Sequence, residues 1–77
     1  MSTAEEINIL LVANFGTGPL AIRPEVSLRR LRLDSPALDE LRLLVEDRMG
    51  VDPDDVQPTS RDTVEELVDA VHRKAAA

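Results

Sequence analysis

DSPALDELRLLVEDRMG, residues 34–50, holds the reading on which the fold turns. Leu38, Leu41, Val45 and Met49 recur at spacings of three and four, which places them on one face of a helix. Gly50 follows at the position where a helix favours a left-handed residue. At the other end, proline suits the first helical turn and pushes the residue before it towards extended geometry. The spacing therefore predicts a helix over Pro36–Met49 with Ser35 as its N-cap. A serine so placed is a bare cap far more often than a functional group. Its hydroxyl nevertheless lies where the helix dipole and free N–H groups favour a phosphate.

Outward from that helix, the pattern repeats twice. In residues 4–15, Ile7, Leu10, Leu11 and Phe15 share a face, with Ser2 or Thr3 as cap and Gly16 and Gly18-Pro19 as stops. In TSRDTVEELVDAVHRK, residues 59–74, Val64, Leu67, Val68 and Val71 line a face, and Thr63 with Glu66 forms a capping box. Residues 51–58 allow at most one short helical turn, around residues 53–57. The stretch TGPLAIRPEVSLRRLRL, residues 17–33, carries two prolines and no sustained period. It reads as a long ordered loop pinned to the core by Val26, Leu28, Leu31 and Leu33, and loops of that length in small domains are usually functional. The expected class is all-α: a small bundle of three main helices, a short fourth and a long first loop.

Composition narrows the function. The chain has 77 residues, enough for one small domain with a thin core. It has no cysteine and one histidine, so thiolate chemistry is absent and His72 is the sole imidazole. A serine nucleophile needs an adjacent oriented base, and His72 near the end of the last helix has no plausible third member. Hydrolase chemistry is rejected, and no enzyme activity is expected. Asp52, Asp54 and Asp55 lack the glycine and terminal glutamate of a calcium loop, so no metal site is expected. A single aromatic residue, Phe15, and a net charge of −6 argue against nucleic acid. No signal peptide or membrane-length apolar run is present, which points to a cytoplasmic protein without membrane contact. The charge is divided: residues 1–33 hold four bases against three acids, and residues 34–77 hold twelve acids against five bases. Such a chain suits partners with basic patches.

On Leu33-Asp34-Ser35, set before an acidic helix and between outer helices of this length, the chain resembles an acyl carrier protein over roughly residues 4–74. AEEINILLVANFG is similar to that family's first helix, VSLRRLRLDS to the segment leading to its attachment site, PALDELRLLVEDRMGV to its second helix and TVEELVDAV to its last. The resemblance implies a single carrier domain spanning residues 1–77, with a four-helix fold. It implies a phosphopantetheine arm on Ser35, holding acyl groups as thioesters for fatty-acid or polyketide synthesis. It further implies recognition by a phosphopantetheinyl transferase, a ketosynthase and other acyl-processing enzymes, with the protein itself monomeric. Two residues depart from the family pattern. Pro36 follows the serine where leucine is usual, and Arg32 stands where many members have glycine.

The second helix adds its own argument. At about 100° per residue, Pro36, Glu40, Leu43 and Asp47 fall opposite the apolar face, so an exposed leucine is flanked by acids. Single exposed leucines are ordinary, and charged faces are usually just solvated. With the resemblance, Asp34, Glu40, Leu43 and Asp47 become the recognition residues, with Asp39 and Glu46 as lesser candidates. The alternatives are a peptidyl carrier, which tends to be less acidic on this helix, and an unmodified helical interaction module in which Ser35 only caps.

Overall fold

The computed structural model describes residues 2–76. Three helices carry the fold: α1 (Thr3–Phe15), α2 (Ser35–Met49) and α3 (Val64–Ala76), with α1 packed against both others. Among the described residues there is no strand, only an isolated antiparallel bridge between Ser27 and Thr63. The chain is a small, mostly helical domain.

The helix ends follow from local chemistry. The Ser2 hydroxyl accepts from the Glu5 N–H at 3.2 Å, which caps α1. Gly16 (φ 66°) and Gly50 (φ 70°) close α1 and α2 in the left-handed conformation, where a side chain would be strained. At α3, Glu66 N–H donates to Thr63 Oγ1 at 3.1 Å and Thr63 N–H donates to Glu66 Oε1 at 2.9 Å, a reciprocal capping box.

The core is aliphatic. Ile7, Leu10 and Leu11 from α1 meet Leu38, Leu41 and Val45 from α2 and Val64, Leu67 and Val71 from α3. Phe15, Met49 and Val68 are partly buried against them. The connections contribute as well: Leu28, Leu33, Val51 and Val56 are buried. Of the four residues expected to pin the first loop, Leu28 and Leu33 are buried, and Leu31 and Val26 are half-buried.

Two differences from the sequence reading concern the connections. Between Gly50 and α3 there is no fourth helix: a single turn at 53–55 stands there, with Asp55 N–H donating to Asp52 O at 2.9 Å. The Asp52 carboxylate also accepts from Asp54 N–H at 2.8 Å, an Asx turn that satisfies the backbone without continuing a helix. The first loop, by contrast, contains two short 3₁₀ turns, Pro19–Ala21 and Leu28–Leu31. It is laced to the start of α3 by four backbone bonds. Leu28 and Arg29 N–H donate to Asp62 and Ser60 O at 2.8 and 2.9 Å, and Val64 and Glu65 N–H donate to Val26 and Pro24 O at 2.9 and 3.0 Å.

The two faces of α2 give a direct test. Leu41 has no exposure and Leu43 is 58% exposed. Leu41→Ala is expected to cost about 2–5 kcal/mol in denaturant unfolding, while Leu43→Ala should stay within about 0.5 kcal/mol of wild type. Equal costs would overturn the assignment of faces.

Candidate functional site

Ser35 is the first residue of α2 and not its cap, which corrects the sequence reading. The cap is Asp34, extended at φ −81° and ψ −178°, whose Oδ1 accepts from Ala37 N–H at 3.0 Å. Its carbonyl takes the Leu38 N–H at 2.9 Å, and Pro36 removes one donor that would otherwise need a partner. The register is set by the residue before the aspartate. Leu33 is buried and its N–H donates to Leu28 O at 3.3 Å, so the chain must turn into the helix immediately after it. Asp34, with an acceptor oxygen one bond further from the backbone than serine's, takes the cap.

The consequence is a free hydroxyl. Ser35 is exposed, and its Oγ makes no hydrogen bond among the described residues. Most rival hydroxyls are engaged: Ser2 and Thr63 cap helices, Ser27 accepts from Arg30 N–H at 3.4 Å, and Thr3 lies 3.2 Å from His72 Nδ1. Thr17 Oγ1 is buried without a partner among the described residues. Thr59 and Ser60 are exposed, and both border the same depression as Ser35.

That depression is open and about 670 Å³ in volume. Its walls come from three segments: Arg29 and Arg32 from the first loop, Asp34, Ser35 and Asp39 from α2 and its cap, and Pro58, Thr59 and Ser60 from the connection to α3. Leu33 and Leu38 supply apolar surface. His72 does not border it. Among the described residues no cluster of three or more acidic or histidine side chains is placed to hold a metal ion.

The sequence marks Arg32 as a departure from glycine but does not give its backbone conformation or the tie made by Arg42. Arg32 has φ 63°, the left-handed region that glycine occupies freely and that costs a larger residue on the order of 1–3 kcal/mol. It closes the Leu28–Leu31 turn by donating its N–H to Arg29 O at 3.0 Å. Arg42 serves the fold instead. Its Nε and Nη2 donate to Pro53 O at 3.0 and 2.8 Å, tying α2 to the 53–55 turn. No local pattern marks the role of Arg42, which depends on the connection that follows α2.

On the outer face of α2, Glu40, Leu43 and Asp47 are all exposed, as are Asp39 and Glu46. Asp39 is 3.6 Å from Arg42 Nη1, a solvent-facing contact of small energetic weight. The expected recognition residues thus form one surface, except that Asp34 sits at the helix start with its carboxylate turned to the cap. No helix among the described residues is long and apolar enough to cross a membrane. Comparison of the chain with protein-family models, with curated proteins and with solved structures gives no match.

Proposed function

We propose that this chain is a carrier protein of the acyl type, loaded with a phosphopantetheine arm on Ser35 and serving fatty-acid or polyketide synthesis. The observation that carries the reading is the free, exposed Ser35 hydroxyl at the start of a rigid helix, relieved of capping by Asp34. The residues present fit such an arm. An attached phosphodiester would lie beside an open depression with polar walls and an apolar floor, without displacing any hydrogen bond of Ser35 Oγ. Arg32 supports the resemblance in a further way: the position where many family members have glycine adopts a glycine-like backbone here. When bound, the arm's thiol holds the acyl group. The chain's own part is to position the arm and present a surface.

In this reading the partner surface is the outer face of α2. Glu40 and Asp47 meet basic patches on a phosphopantetheinyl transferase, a ketosynthase and other acyl-processing enzymes, and Leu43 packs between them. Exposed pairs contribute only about 0.2–1 kcal/mol each, so their effect is on encounter more than on final affinity.

Two measurements follow. After incubation with coenzyme A and a phosphopantetheinyl transferase, intact-mass analysis should show one arm on wild type, none on Ser35→Ala, and one on Thr59→Ala and Ser60→Ala. An arm on Ser35→Ala, or none on wild type across several transferases, would end the carrier reading. With loaded protein and a ketosynthase, Glu40→Lys with Asp47→Lys should slow association, most at low salt, with melting temperature nearly unchanged. Normal association by that variant would move the docking surface elsewhere.

A further inference from the structure

Two cations border the Ser35 depression without an obvious structural duty. Arg29 and Arg32 are both exposed and both form its wall. Among the described residues the ion pairs involve Arg42 and Arg48, and neither Arg29 nor Arg32 has a carboxylate within 4.0 Å. Neither guanidinium donates a hydrogen bond to the described residues, whereas Arg42 and Arg73 do. The same depression carries two carboxylates: Asp34 Oδ1 accepts from Ala37 N–H, and Asp39 lies 3.6 Å from Arg42 Nη1 on the solvent side. Arg29 and Arg32 thus leave their guanidinium N–H donors unpaired on an open depression whose carboxylates are turned to the α2 cap and to Arg42, and such donors suit an anion.

We propose that Arg29 and Arg32 form a seat for a phosphate ester beside the Ser35 hydroxyl. Guanidinium groups present paired N–H donors that match phosphate oxygens, and two of them can hold one phosphate from separate sides. Leu33 and Leu38, at 4% and 8% exposure, offer an apolar floor for an aliphatic continuation of that ester. A phosphodiester on Ser35 and a free phosphate monoester share this chemistry. The assignment of the natural ligand to the arm rests on the carrier reading, while the seat rests on the two arginines.

The test uses isotope-labelled, unmodified protein at constant ionic strength, titrated separately with inorganic phosphate and with phosphopantetheine. Arginine side-chain and backbone signals are followed by NMR. Saturable shifts are expected at Arg29 and Arg32, with affinity reduced about ten-fold or more in Arg29→Gln with Arg32→Gly, since each charge-assisted bond is lost outright. Arg30→Gln, which alters an exposed neighbour that does not border this depression, should bind as wild type does. Arg32→Gly should fold, because glycine accepts its backbone conformation. Tighter binding of phosphopantetheine would support contact with the leucine floor, and equal binding would support a seat that reads phosphate alone. Absence of saturable shifts, or an equal loss in Arg30→Gln, would overturn the proposal. No transferase enters the titration, so the outcomes separate. Saturable binding by a chain that no transferase loads would keep the seat and discard the carrier reading. Loading of Ser35 without such binding would do the reverse.

Discussion

The hydrogen bond from Ala37 N–H to the Asp34 carboxylate decides what the neighbouring serine can do. Leu33 and Leu38 are both buried, so the chain has four residues in which to leave the loop, begin α2 and return a side chain to the core. A helix start leaves backbone donors that need partners. Asp34 supplies one acceptor, Pro36 removes one donor, and Ser35 is left in the first turn with nothing to satisfy. Capping falls to Asp34, and the Ser35 hydroxyl beside it stays free.

The rest of the domain holds that arrangement still. With one aromatic residue and no cysteine, the core is built from Leu, Ile and Val, and precision has to come from the connections. The first loop is bonded along its second half to the start of α3, which fixes the wall carrying Arg29 and Arg32. On the other side, Arg42 donates twice to the Pro53 carbonyl and steadies the connection after Gly50. The Ser35 depression lies where the first loop, α2 and the last connection meet.

Much of this was legible in the residues. Helices α1, α2 and α3 could be read because their apolar period agrees with their end signals: Ser2 and Gly16, Gly50, and the Thr63–Glu66 box. The exposed line of Glu40, Leu43 and Asp47 followed from the same period. The cap of α2 was misread because Asp34 and Ser35 are both good capping residues and Pro36 tolerates either register. What separates them is the burial of Leu33, a tertiary fact. The Leu28–Leu31 turn escaped for a related reason. It is held by bonds to residues some thirty positions away, Leu28 N–H to Asp62 O and Arg29 N–H to Ser60 O, and leaves no local period. The single turn allowed near residue 55 is present, closed by Asp55 N–H to Asp52 O, and the Asp52 side chain takes the Asp54 N–H so that the turn does not grow into a fourth helix.

The division of roles between Asp34 and Ser35 is the central claim, and side-by-side denaturant unfolding of Asp34→Ala and Ser35→Ala tests it most directly. Loss of the cap should cost Asp34→Ala about 0.5–2 kcal/mol, and Ser35→Ala should change stability by less than about 0.5 kcal/mol. The reverse order, with Ser35→Ala the more damaging, would show that the serine is the cap after all and contradict the account.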